Sequence, residues 1–407
     1  MNLTETDIPG IMSDTDPSVS AGRRSSTLIC KEKWISGNMS ADAEGKNRER
    51  WLDCARTIAI LLVTFNHAAN RAFASDKFQE FMTRPHVISF LHAVLNVLSR
   101  MGVPLFLMIT GALLLRRDYT DRRVLNRFFK HNMLSLFIST EIWYAIVFWF
   151  RVIIDRPEFI SLGTGEVVKR FIMNQLFLNQ YTLGNMWYMP MILVIYLLIP
   201  VISLAIHNFP KKYIWSCCGF VVLSSMLITN INSFLALKGS DLTLTFKLSE
   251  TSLFSRYMVY VIAGYYIHEG GLSRIGKHLL YVLLGFCSIF MFCYQYWGYA
   301  HPETYSVYYN SVGILLTSAL LFETIRRIRI TDGWNAFFRY ISGRALAIYF
   351  VHMPIVVGIE SQYLENSTLH ELIQFAILEL TGVLGAMLII AALEKNRWCR
   401  QYLFLIK

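Results

Sequence analysis

Two histidines stand in stretches that otherwise suit lipid. In "RERWLDCARTIAILLVTFNHAAN", residues 48–70, Arg56 and His67 interrupt an apolar run; in "SGRALAIYFVHMPIVVGIE", residues 342–360, Arg344 and His352 repeat the pattern. Imidazole titrates near neutrality and passes protons in either direction. Guanidinium stays charged and holds anions. On a helix, His67 lies about 16 Å beyond Arg56 on nearly the same face, and His352 about 12 Å beyond Arg344. With both arginines at one interface, the two histidines reach comparable depths. That set suits proton transfer in a buried site. The plainer alternatives are that Arg56 snorkels to lipid phosphates, and that each histidine hydrogen-bonds a neighbouring helix, His352 beside a kink at Pro354.

Other candidate groups also fall in or beside predicted spans. Arg100 falls well inside a predicted span, where a lone charge is costly, so it requires a water-filled cavity or a carboxylate. Glu141 and Glu379, also within spans, are its candidate partners; each reads equally well as a structural counter-ion. "LGNMWYMPMI", residues 183–192, sets Trp187 and Tyr188 where a helix starts. They serve there as an interfacial aromatic belt, or they stack on a sugar. In "MGVPLFLMITGALLLRR", residues 101–117, Thr110, Gly111 and Ala112 permit close helix contact.

The elements that must position these groups follow from composition. Of 407 residues, 54% are hydrophobic and only 16% charged, which places the chain among membrane proteins. About ten segments are long enough to cross a bilayer, near 53–73, 87–115, 131–154, 187–207, 213–231, 254–268, 278–299, 305–325, 340–360 and 371–394. The segment at 254–268 is the shortest and contains Gly264. The expected fold is all-α, a polytopic membrane protein with about ten transmembrane helices.

Charge distribution sets the expected orientation. With a cytoplasmic N-terminus, alternate loops predicted inside hold roughly eighteen Lys and Arg, against roughly seven in those predicted outside. The net charge of +10 is therefore mostly topological, and no nucleic-acid partner is expected. Residues 1–50 read as a disordered cytoplasmic tail, 51–394 as the transmembrane domain and 395–407 as a basic cytoplasmic tail. The longest later interval outside the spans, near 155–186, is too short for a soluble catalytic domain. The seven cysteines show neither a disulfide framework nor metal-type spacing, so no metal site is expected.

"WLDCARTIAILLVTFNH" resembles the first-helix signature of the acyltransferase-3 membrane O-acyltransferases. "MGVPLFLMITGALLLRR" is similar to that family's next block, "NMWYMPMILVIYLLIPVI" to its Trp-Phe block and "LAIYFVHMPIV" to its late His-Pro block. The four occur in the family's order. Thr110-Gly111-Ala112 replaces the commoner Ser-Gly-Phe, Met353 separates His352 from Pro354, and the family's Arg-x-x-Arg pair is represented at best by Arg127 and Lys130.

The resemblance implies acetyl transfer from cytoplasmic acetyl-CoA, the co-substrate, to a hydroxyl of a cell-surface polysaccharide such as O-antigen or of its lipid-linked precursor. It implies a multi-pass protein of a bacterial inner membrane with both termini cytoplasmic. Under that reading His67, Arg56 and His352 are catalytic. Arg116, Arg117, Arg122, Arg123, Arg127 and Lys130 form the donor entrance, although positive-inside topology and anionic lipid also account for such residues. Trp187, Tyr188, Arg100, Glu141 and Arg344 are the candidates for binding the acceptor. Direct transfer and a covalent acyl-enzyme are both open. A polysaccharide flippase or polymerase would alter glycan length or export without changing ester content. A proton-coupled secondary transporter would show gradient-dependent uptake.

Overall fold

Residues 50–72 join the apolar run Ile58–Val63 to Asp53, Arg56 and His67, a mixture that gains from protein neighbours on all sides. In the computed structural model they form α1, Arg50–Ala72, with Ala55, Ala59 and Ile60 completely buried. The structure describes residues 49–73, 87–155, 161–179, 181–240, 242, 244, 253–299, 308–364 and 369–406. The tail expected over 1–50 lies almost wholly outside them.

The helices after α1 are α2 (Val87–Arg100), α3 (Gly102–Leu114), α4 (Arg122–Ile154), α5 (Thr164–Gln175), α6 (Tyr188–Asn208) and α7 (Lys211–Leu235). They continue with α8 (Leu253–His268), α9 (Lys277–Gly298), α10 (Val312–Arg326), α11 (Asp332–Ser342), α12 (Ala345–Leu364) and α13 (Glu371–Leu393). Among the described residues there is no strand. The protein is all-α and polytopic.

Among the described residues, seven helices are long and apolar enough to cross a membrane, α2 and α3 counting as one bent span. Each of the ten expected segments contains helix, but α1, α8 and α10 fall outside the seven. The last two have only 16 and 15 helical residues, and the polar residues of α1 lower its hydropathy. Nevertheless α1 lies at the centre: α2, α3, α10, α11, α12 and α13 all pack against it.

Pro104 explains the bend. Having no N–H, it leaves the Arg100 carbonyl without its helical partner, and its ring crowds that carbonyl. The chain turns at Met101, whose own N–H bonds the Leu98 carbonyl at 3.1 Å. Arg100 consequently ends α2, where the helix dipole favours a cation.

Close packing fixes α3 against α8. A Cβ built on Gly111 would collide with the Val261 carbonyl, and one on Gly264 with the Met108 backbone. The interval outside the expected spans, near 155–186, contains α5, where Glu166 pairs with Lys169 and Arg170 on one face. The C-terminal stretch also folds back in part. Ser139 and Trp143 of α4 both donate to the Leu403 carbonyl, at 3.0 and 2.9 Å, and Leu403 and Phe404 are buried.

Candidate functional site: a histidine pair between two parallel helices

α1 meets α11 and then α12 through polar contacts at three heights, the first with α11 and the other two with α12. At the start of α1, Arg56 Nη1 donates to Ser342 Oγ at 2.9 Å, and Ser342 Oγ donates to Asp53 Oδ1 at 2.6 Å. Arg56 Nη1 also lies 3.5 Å from Asp53 Oδ1. Asp53 is only 2% exposed, so its charge is compensated inside the protein. Thr57 spans the gap to α11, donating to the carbonyls of Asp53 and Phe338.

At mid-height His67 Nδ1 and His352 Nε2 are 2.8 Å apart, with ring planes inclined by 10°. One turn beyond His67, Arg71 Nη1 meets Glu360 Oε2 at 2.7 Å. These contacts keep the helices in register, so the imidazoles face each other at matched depth.

The hydrogen bonds assign the tautomers. His352 Nδ1 is 2.8 Å from the Ile348 carbonyl, an acceptor, so this nitrogen carries the proton. Neutral His352 then presents an Nε2 lone pair, and His67 Nδ1 donates to it. Two neutral rings therefore leave His67 Nε2 unprotonated. That atom is the base the pair offers, while fully buried His352 orients it.

Glu379 lies close by. Thr64, one turn before His67, donates to Glu379 Oε1 at 2.9 Å, while Oε2 is buried without a hydrogen-bond partner among the described residues. Glu141 is engaged elsewhere, its Oε2 accepting from Gln175 Nε2 at 3.0 Å. Neither carboxylate partners Arg100. Its guanidinium lies over the Tyr308 ring at 4.6 Å and near the Tyr309 ring at 5.9 Å, within Coulombic reach of His67.

The turn Gly184–Trp187 reaches the level of α12's first turns. Tyr349 donates its hydroxyl proton to the Asn185 carbonyl at 2.6 Å, and Tyr188 packs on Tyr349 at 5.8 Å. Trp187 packs on Tyr257 and Tyr309, 5.8 and 5.7 Å between centroids. These rings form an aromatic wall that runs from Arg100 to the histidines, since Tyr349 is also 6.3 Å from His352.

The basic residues fall into four settings. Arg117 and Arg56 both lie within Coulombic reach of the Tyr196 hydroxyl. Arg117 also contacts Asn132 Oδ1 at 3.4 Å. Arg116 pairs with Glu269 at 3.1 Å; contact with His268 and the charge of Arg116 hold the Glu269 carboxyl below its ordinary range, partial burial opposing them. Arg122, Arg123, Arg127 and Lys130 are exposed, the last on the π-helical turn Phe129–Met133. Arg344 grips Glu394 through two contacts of 2.9 and 2.7 Å.

Asp53, Ser342, Thr64 and Tyr349 complete this arrangement beyond the residues expected from sequence. Asp53 had a signal, an acid three positions before Arg56 on one helix face. Ser342 and Tyr349 had none, because nothing local to them records the helix they meet.

A polytopic bundle with an oriented histidine base at its centre defines a multi-pass membrane protein equipped for buried proton transfer. A family model described as an acyltransferase domain, acyltransferase 3, matches residues 49–393. The chain belongs to the acyltransferase-3 family and is a membrane acyltransferase. No curated protein and no solved structure matches it.

Proposed function

We propose that the protein is an integral membrane O-acetyltransferase that moves acetyl from acetyl-CoA to a hydroxyl of a cell-surface polysaccharide or its lipid-linked precursor. The observation that carries this reading is the 2.8 Å His67–His352 contact, with His352 tied to a carbonyl, in a chain of this family. His67 Nε2 accepts the acceptor's hydroxyl proton as the oxygen attacks the thioester carbonyl. The C–O bond forms, the C–S bond breaks, and the proton passes to the departing thiolate, giving ester and free CoA. His352 steadies the imidazolium that forms at His67 by accepting its Nδ1 proton in a hydrogen bond.

Arg56 belongs with the donor's phosphates. It stands about 16 Å along the α1 axis from His67, too far for both to touch one carbonyl. With Arg117 it forms a cationic neck that suits a diphosphate, leaving the thioester arm to extend toward His67. The exposed residues Arg122, Arg123, Arg127 and Lys130 raise the local donor concentration at that entrance. Arg56 at this end and the aromatic wall at the other separate donor from acceptor.

The test is base-labile O-acetyl on surface polysaccharide in cells lacking the protein, expressing it, or expressing His67→Ala at matched membrane abundance. Ester should appear with the intact protein and fall at least about a hundredfold with His67→Ala. Equal ester in all three strains, together with no thiol release from acetyl-CoA by purified protein, overturns the reading.

A further inference from the structure

Arg100 and Arg256 place two cationic side chains beside the aromatic wall. Neither has a carboxylate within ion-pair distance among the described residues, and the Nε of each is buried without a hydrogen-bond partner. Leaving such charges uncompensated within a membrane domain is costly. The faces of Tyr308 and Tyr309 offset part of this for Arg100.

Arg100 lies against Tyr309, 5.9 Å from its ring centroid. Arg256 directly precedes Tyr257 on α8, and one turn on the Tyr260 hydroxyl donates to the Tyr309 carbonyl at 2.8 Å. Trp187 bridges Tyr257 and Tyr309. On the turn that carries Trp187, Asn185 is only 7% exposed, yet neither polar atom of its amide has a partner. A buried amide with two unused hydrogen-bonding groups is costly unless something occupies them. Aromatic faces, a free amide and two guanidiniums together match a sugar carrying anionic oxygens.

We infer that the acceptor is negatively charged, and that Arg100 with Arg256 reads its carboxylate or phosphate while Trp187 and Asn185 hold the adjoining sugar. The inference rests on the acetyl-transfer reading and narrows its acceptor class. One chemistry, an anionic group on the sugar, has two sources: a uronate within a polymer or the diphosphate of a lipid-linked precursor. Arg100 is the stronger determinant, because its guanidinium lies over Tyr308 and beside Tyr309, the ring on which Trp187 packs.

Purified protein in nanodiscs separates these possibilities through thiol release from acetyl-CoA. One probe pair is a hexuronate tetrasaccharide and its carboxyl-reduced form. The other is a polyprenyl diphosphate N-acetylglucosamine and the corresponding phosphate-free polyprenyl glycoside. At least one charged probe should be used about tenfold or more better, in kcat/KM, than its neutral counterpart, and the pair showing the preference identifies the anion's source. Arg100→Gln should raise that acceptor's KM about tenfold and remove the preference, Arg100→Lys should keep part of it, and the acetyl-CoA KM should stay unchanged.

The wild-type comparison stands without either variant folding. Donor turnover with no acceleration by either charged probe, or with less than twofold discrimination in both pairs, overturns the inference and leaves acyl transfer standing. A rise confined to the acetyl-CoA KM in Arg100→Gln also overturns it, by assigning the anion to the donor. No thiol release under any condition overturns the acetyl-transfer reading itself.

Discussion

The hydrogen-bond order at the histidine pair makes His352 a positioning residue with a distinct signature. Glutamine at 352 keeps a side-chain acceptor for His67 Nδ1, whereas phenylalanine fills the space and offers none. We expect His352→Gln to retain about tenfold more acetyl-CoA thiol release than His352→Phe, both below wild type. Equal loss in the two would mean that His352 acts as more than an acceptor. Asp53 makes the matching case for the arginine. Replacing it with alanine removes a buried carboxylate that both Ser342 and Arg56 contact. Because Arg56 is partly exposed, the expected loss of stability is about 1–3 kcal/mol, below the full cost of breaking a buried pair. The donor KM should rise about tenfold while the acceptor KM holds. An unchanged donor KM with lower thermal stability would make Asp53 a purely architectural residue.

At the scale of elements, the site depends on helices approaching closely enough to leave no play. α3 carries the bend that points Arg100 inward, and α3 is held by α8 through the facing glycines Gly111 and Gly264. Gly264→Leu should push the helices apart and destabilise the protein by about 1–3 kcal/mol, read as a lower unfolding midpoint in detergent. It should also weaken acceptor use, because Arg256 lies on α8 and Arg100 just before α3. An unchanged midpoint would show that the contact has slack. The same elements show what a sequence records and what it does not. The matched depth of His67 and His352 was legible because helical rise converts spacing from Arg56 and Arg344 into distance. Gly111 was legible as a packing position from its small neighbours. The neighbours of Arg100 were not: two carboxylates were the evident candidates, yet tyrosine rings face it, since pairing across helices depends on rotation and crossing that no local pattern encodes. The helix at 164–175 was hidden by its polarity, and α1 fell short on hydropathy because it holds the charges of the site.

For the molecule as a whole, donor and acceptor should approach from opposite membrane faces, and the charge map says which face is which. Arg116 to Lys130, "RRIRI" at 326–330 and the basic C-terminus all lie in segments expected to stay inside. Arg117 shares the surroundings of Tyr196 with Arg56, so the proposed donor neck opens on the side of the basic loop. α4 then carries the chain across toward the segment that precedes Trp187. In a cysteine-free background, Asn126→Cys sits at an exposed position in the first turns of α4 and Leu162→Cys at an exposed position beyond its far end. A membrane-impermeant maleimide should label Leu162→Cys in intact spheroplasts and Asn126→Cys only after permeabilisation. That outcome places the arginine neck on the cytoplasmic side, as the proposed acetyl-CoA donor requires, and the aromatic wall toward the outer side. The reverse pattern would put the basic entrance outside, beyond the reach of a cytoplasmic donor. Acetyl-CoA would then need another route to His67, and the donor role assigned to Arg56 and Arg117 would fail with it.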